Sequence, residues 1–339
     1  MGTMKENRIL LAHGGGGTMM HNLIGETILG KLGNPILNAL GDSAVVQISN
    51  QRIAFTTDSF VVRPLFFNGG DIGKLAVCGT VNDLSMAGAR PLFLSLGFII
   101  EEGLEGEIFE RVVESIRVAA AEARVMVVTG DTKVVEKGKA DGLFVNTSGI
   151  GVIRPGVVIA ASRVKAGDVV MINGNMGDHG IAVISKREGL SFETEIASDC
   201  APLNHLVSRM LDVCEDIHFF RDPTRGGVAA TLNEVVDQAK VKVELFEKDL
   251  PINPRTQAAC DMLGFDPLYV PNEGKVLVIC HEEDADKVLN AMRDDVYGRN
   301  AAIIGRVTEE GEGVVLLHTK VGGKRIIDMP YGEQLPRIC

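Results

Sequence analysis

Two periodicities alternate along this chain. Apolar residues at Ile72, Leu75, Ala76 and Leu84 recur at helical spacing, and Asp71 stands where it would cap the helix, which the pattern carries to about Ala87. A longer amphipathic helix is predicted from about Glu105 to Arg124, with Ile108, Val112, Ile116, Ala119 and Ala123 on one face. Between them Leu92 to Ile100 reads as a strand, and Val125 to Thr129 as a buried strand leading into Gly130-Asp131-Thr132-Lys133. β-prone stretches also cover Arg52 to Phe60 and Gly142 to Val152. This half is predicted to be α/β, with strands and helices mixed rather than repeating as simple βαβ units.

Arg154 to Gly167, with Pro155 and Gly156, reads as a linker. Beyond it, strands are predicted at Asp168 to Asn173, Val241 to Phe246, Val276 to Cys280, Ala302 to Val307 and Val314 to Leu317. Helices follow the Gly177-Asp178-His179-Gly180 turn and cover Leu203 to Asp212, Val228 to Ala239, Thr256 to Leu263 and Asp284 to Asp295. This half is α/β as well. From Pro330 onward, prolines and a glycine leave too few apolar residues for a helix or central strand, so a mobile arm is expected. Extended, it would carry the thiol of Cys339 on the order of 30 Å.

A length of 339 residues suits two domains, each with its own core. A net charge of −11 without a basic run argues against nucleic acid or an anionic membrane surface as partner. The longest apolar runs are half the length of a membrane span. The six cysteines form no close pair and no secretory segment is seen, so a cytoplasmic protein is expected.

Asp42, Asp58, Asp83 and Asp131 each stand at the end of an element among small residues. Hard divalent cations take such oxygen ligands, and carboxylates converging from separate elements can hold metals that bridge phosphates. Asp131-Thr132-Lys133 sets an ammonium beside a carboxylate. His13-Gly14-Gly15-Gly16-Gly17 allows close backbone approach to a ligand, yet the chain has neither GxxxxGK[ST] nor GxGxxG. In Asp222-Pro223-Thr224-Arg225-Gly226-Gly227 a proline fixes the turn, a threonine can cap, and two glycines permit close contact. His13 and Glu273 are further acid/base candidates, while no Ser-His-Asp order or zinc-type spacing is present.

The set HGGGG, GDSA, TTDSF, PLFFNGGDIGKLAVCGTVNDL, GDTK, GDHG, DPTRGG, NEGK and terminal PRIC resembles the HypE family of hydrogenase maturation factors. That family lies within the superfamily of aminoimidazole ribonucleotide synthetase and selenophosphate synthetase. The resemblance runs from His13 to Cys339, and the long PLFF to NDL block with the PRIC ending is its most specific part. Ser43 stands where the wider superfamily often carries a second acid.

The resemblance implies a two-domain PurM-like α/β fold whose first domain forms an intersubunit β-barrel in a homodimer. It implies a glycine-rich loop and helix over residues 1–38, an ATP-binding domain over 39–155, a second domain over 166–328 and a flexible tail over 329–339. The implied activity is ATP-dependent dehydration of an S-carboxamide on Cys339 to an S-cyanate. The partners would be the carbamoyltransferase HypF and an iron-carrying HypC–HypD complex. Asp42, Asp58, Asp83 and Asp131 would hold Mg²⁺ and phosphates, with Asn82 and Thr132 supporting. Gly14 and Gly15 belong to a loop closing over the site from His13. Arg225, Gly226 and Gly227 would serve the phosphate side, and Lys133 and Glu273 would handle protons near the thiocarboxamide. Selenophosphate synthetase is the nearest rival, but it usually carries a reactive cysteine or selenocysteine in the glycine loop, and His13 to Met20 has neither. A non-enzymatic scaffold using Cys339 as a soft metal ligand is the alternative from another class.

Overall fold

The computed structural model describes residues 8–190, 195–310, 313–332, 335 and 337–339. Pro336 of the PRIC ending, Glu333 and Gln334 of the tail, and residues 1–7 lie outside the described residues. After a short turn at Leu11–Gly14, helical segments run through α1 (Thr18–Asn22), a wider turn over Leu23–Leu29 and α2 (Gly30–Leu32).

The first sheet contains β1 (Ala44–Ile48), β2 (Gln51–Phe60), β5 (Ala89–Glu101), β6 (Met126–Val135) and β7 (Leu143–Ile153), in the order β1-β2-β7-β5-β6. A small hairpin of β3 (Phe66–Phe67) and β4 (Gly70–Asp71) precedes α3 (Ile72–Met86), and α4 (Gly106–Ala123) follows β5. Asp71 caps α3, its carboxylate accepting from the backbone N–H of Gly73 (2.7 Å) and Lys74 (3.1 Å). Period-2 alternation gives the sheet two unlike faces. Ala54, Thr56 and Phe60 of β2 turn toward α3 and are buried, whereas Phe55 is 46% exposed and Ile150 of β7 42%.

The buried strand expected at Val125 to Thr129 is instead part of an exposed edge strand. β6 runs through Lys133 to Val135, and Met126, Val128 and Val134 are all solvent-facing. Its apolar residues mimic a buried strand because a full face of the sheet has no cover within the chain.

The second domain has β8 (Asp168–Ile172), α5 (Asp178–Arg187), α6 (Asn204–Val213), β9 (Phe219–Arg221), α7 (Gly227–Ala239), β10 (Val241–Phe246), α8 (Pro254–Leu263), β11 (Leu277–His281), α9 (Ala285–Arg293), β12 (Ala302–Glu310), β13 (Val314–His318) and β14 (Lys324–Ile326). Its strands form one sheet in the order β14-β13-β10-β12-β8-β11-β9. The mixed α/β, two-domain PurM-like architecture is therefore present. Among the described residues no helix is long and apolar enough to cross a membrane.

α3 joins the domains. Its Leu84 packs in one buried cluster with Val169, Met171, Leu203 and Leu206 of the second domain. Its Asn82 is fully engaged there: the amide donates to the carbonyls of Ala201 (3.1 Å) and Glu273 (3.2 Å), and its oxygen accepts from Leu203 N–H (2.8 Å). The tail departs from the expected arm and is seated on the body. Leu335 and Ile338 are buried in the same core as Phe60 and Leu75 and anchor it there.

Leu84→Ala should destabilise the whole chain by about 2–5 kcal/mol, because a cavity would open where both cores meet. Denaturant unfolding followed by circular dichroism should show one shifted transition; an unshifted midpoint would contradict this shared core.

Candidate active site

Asp42 leads into β1, Asp83 lies late in α3, and Asp222 follows β9. One carboxylate oxygen from each lies within 4.8 Å of the others. Both domains thus contribute to one acidic well. Asp42 is held by Arg221, whose Nε is 2.7 Å from Oδ1, and Arg221 reaches on to Glu234 of α7 at 3.0 Å. Glu234 in turn meets His21 of α1 at 3.1 Å. Thr56 Oγ1 stands 2.8 Å from the Asp83 carboxylate and 2.9 Å from the Asp42 carbonyl, and its one proton serves one of them at a time. Ser43 donates to the Asp83 carbonyl at 2.9 Å, so the residue that replaces an acid here braces the site through backbone.

Burial dominates the electrostatics of the well. Asp42 and Asp83 are pushed well above the usual carboxylate range by desolvation, with Arg221 opposing this at Asp42 and the neighbouring acids adding to it at Asp83. Desolvation pushes Asp222 up to about 6 despite Arg221, and also raises Asp58, which Arg225 partly offsets. The donor set is hard oxygen, converging from separate elements and short of positive charge, so it fits a divalent cation.

Glu273, in the turn before β11, is buried, and desolvation pushes its carboxyl well above the usual range, with Cys200, Asp222 and Asp58 adding to the effect. Its backbone N–H donates to Asp199 (3.1 Å), whose carboxylate pairs with buried Lys275 at 2.9 Å. The Cys339 carbonyl accepts from Val61 N–H at 3.0 Å, just past the strand that carries Asp58, and the charges of Cys339, Asp58, Glu273 and Asp83 raise Arg225.

The glycine loop is locked between Arg225 and the tail. Arg225 donates to the Gly14 carbonyl at 3.4 Å, while Thr18 and Met19 N–H groups donate to Pro330 (3.0 Å) and Tyr331 (3.3 Å). A Cβ at Gly17 would come within 2.2 Å of the Pro330 carbonyl oxygen, so only glycine fits. Gly15, Arg225, Gly226 and Leu335 line a residual cavity of about 20 Å³. Gly226 and Gly227 open α7, and a Cβ on Gly227 would strike the Leu268 carbonyl at 2.6 Å. His13, in the turn before the loop, accepts from Leu10 N–H within its own turn, its Nδ1 lying 3.1 Å from Leu10 N.

Asp131, Thr132 and Lys133 are not brought to this well within one chain. Register runs Asp58 to Thr147, Thr147 to Leu96 and Leu96 to Gly130, so β6 lies three strands, about 14 Å, from β2. Gly97 pairs with Asp131 and Asn146, which puts Asp131 and Lys133 on the open face, opposite Asp58. They pair with each other at 2.9 Å and are exposed. Asn82 is likewise spent on backbone rather than phosphate. Asp222 and Arg221 join the well beyond the sequence-based expectation, which draws on the turn, threonine, arginine and glycines of DPTRGG; its leading acid at a strand exit is the available signal.

Two family models match, AIR synthase related protein N-terminal domain over residues 40–153 and C-terminal domain over residues 165–318. Carbamoyl dehydratase HypE of Cupriavidus necator is 49% identical over 337 residues, spanning 99% of this chain and 96% of that protein. A chain in the crystal structure of a HypE–HypF complex superposes with a TM-score of 0.87 at 48% identity, over 91% of this chain and 99% of that one. A crystal structure of HypE in complex with ATP matches with a TM-score of 0.83 at 47% identity, over 98% of this chain and 100% of that one.

The raised carboxyls predict a pH-dependent metal effect. Without cation the native state binds more protons than the unfolded chain between about pH 4 and 6, so stability falls as pH rises through that window. Mg²⁺ should therefore raise the thermal midpoint over chelator increasingly from pH 4 to 7, and Asp222→Asn should flatten that increase. An Mg²⁺ effect independent of pH and of Asp222 would contradict the site.

Proposed function

The chain belongs to the carbamoyl dehydratase HypE family, and from that premise we propose how its residues divide the work. The protein uses ATP to dehydrate an S-carboxamide on Cys339 to an S-cyanate, the donor of the cyano ligand in NiFe hydrogenase maturation. The observation that carries this assignment is the seated terminal cysteine, whose carbonyl accepts from Val61 N–H at 3.0 Å at the exit of the strand that carries Asp58. Amide oxygen is a poor leaving group. Moving the γ-phosphoryl group of ATP onto it, with loss of one N–H proton, gives an S-bound imidate phosphate and ADP; loss of the second N–H proton and departure of phosphate leave the nitrile.

Asp42, Asp83 and Asp222 would hold Mg²⁺, with Asp58 close by, and the cation would supply positive charge to the phosphates. Arg225 and the backbone of Gly14 and Gly15 face the phosphate side. Glu273 takes a proton from the amide nitrogen, a role supported by its burial and elevated affinity for protons. HypF is the proposed carbamoyl source, supported by the complex of its HypE relative. A HypC–HypD complex is the proposed acceptor, and the cytoplasm the proposed setting.

A homodimer closed through the first sheet follows from its open face. Phe55, Phe93, Ile99 and Ile150 lie exposed there, and the sheet ends in two edges, β1 and β6. Pairing β6 of one copy beside β1 of the other would form a barrel and carry Lys133 of the partner subunit toward the Asp42 end of the site. Lys133 would then act in trans, and the tail would leave its seat to meet HypF and the iron acceptor.

Intact-protein mass after HypF, carbamoyl phosphate and then ATP with Mg²⁺ should show one carbamoyl group gained and one water lost, both absent in Cys339→Ala. A scaffold would lose no water and hydrolyse no ATP. Lys133→Ala and Glu273→Ala should each bind ATP yet slow nitrile formation at least about 100-fold. Mixed dimers of Lys133→Ala with Cys339→Ala should regain activity; inactive mixed dimers would refute the trans assignment.

A further inference from the structure

Each carbonyl of the last three residues accepts a hydrogen bond. Arg337 carbonyl accepts from Arg63 N–H (3.3 Å) and from Arg187 Nη2 (2.5 Å). Ile338 carbonyl accepts from His179 Nε2 at 3.1 Å, and Cys339 carbonyl accepts from Val61 N–H at 3.0 Å. A carbonyl only accepts, so His179 carries its proton on Nε2, and its Nδ1 accepts from Ser198 Oγ at 2.8 Å. His179 itself is fully buried. The Arg337 side chain donates back to the Val61 carbonyl (3.0 Å) and pairs with Asp141 at 2.6 Å.

Two domains supply these donors. Val61, Arg63 and Asp141 belong to the first, His179 and Arg187 to α5 of the second. The tail therefore lies across the domain seam like a short added strand, with Ile338 as its buried anchor. Such a seat fixes the backbone of Cys339 at the exit of β2, three residues from Asp58. A thiol fixed there is withheld from any enzyme that must reach it from outside.

We propose that Asp141, His179 and Arg187 are positioning residues whose contacts seat the terminal cysteine, so that seat occupancy divides the thiol between the nucleotide site and its external carbamoyl donor. The dehydration half rests on the function proposed above; the seating half does not. Loosening the seat should move the two half-reactions in opposite directions, which a merely structural role would not do. Asp141 is the safest probe because it is partly exposed, its side chain being 37% accessible.

The test is alkylation of Cys339 by iodoacetamide in the full-length protein, read by intact mass, for wild type, Asp141→Asn, His179→Leu and His179→Gln. The other five cysteines are buried and Cys339→Ala gives the background. Asp141→Asn and His179→Leu should raise the alkylation rate about tenfold, the scale of one lost charge-assisted or buried hydrogen bond. His179→Gln, which keeps a donor near Nε2, should return toward wild type. Carbamoylation should quicken in the same variants while single-turnover nitrile formation from carbamoylated protein slows by a similar factor. Unchanged alkylation in both disruptive variants, with unchanged thermal midpoints, would overturn the seat. Faster alkylation with undiminished nitrile formation would overturn its positioning role. Absence of nitrile in wild type would instead refute the proposed reaction, leaving alkylation to decide the seat alone.

Discussion

Carboxylates cannot be drawn together out of water without something to neutralise them, and the junction of this protein brings three within 4.8 Å, Asp222 buried and Asp42 and Asp83 half-buried. Arg221 neutralises part of that charge by reaching Asp42 on one side and Glu234 on the other. The remainder is met by protons or by a cation. α3 carries Asp83 to the seam, and β9 ends in Arg221 with Asp222 directly after it, so the acids and their counter-charge arrive together. The well is therefore both a liability for stability and a ready site for the charge of a metal-bound nucleotide.

The same seam receives the tail. Leu335 and Ile338 enter a core that also takes in Phe60 of β2, Leu75 of α3 and Ile181 of α5. Backbone N–H groups of Val61 and Arg63 from one domain and the side chains of His179 and Arg187 from the other then satisfy the carbonyls of the last residues. A mobile carrier needs a docking place that holds it firmly enough to react and loosely enough to leave. A few hydrogen bonds with two apolar anchors give that intermediate strength.

Much of this was legible in the sequence. Asp71 announced α3 because a capping side chain and an i, i+3, i+4 apolar pattern agree, and Asp42, Asp58 and Asp83 stood out because each closes an element among small residues. Two things were hidden for physical reasons. β6 looked buried because an open sheet face uses the same apolar residues as a covered one, and linear sequence does not say which face lacks a lid. The tail looked loose because local composition counts apolar residues but not the groove that receives them. Asp222 was passed over beside the more conspicuous Arg225, since the three-way meeting of acids exists only after both domains fold.

The most direct measurement is anomalous diffraction from crystals grown with Mn²⁺ and a non-hydrolysable ATP analogue. The account predicts a metal peak within coordination distance of Asp42, Asp83 and Asp222, with the triphosphate under the glycine loop and Cys339 beside its γ end. A metal bound away from these three carboxylates, or a nucleotide placed where Cys339 cannot reach it, would contradict the account.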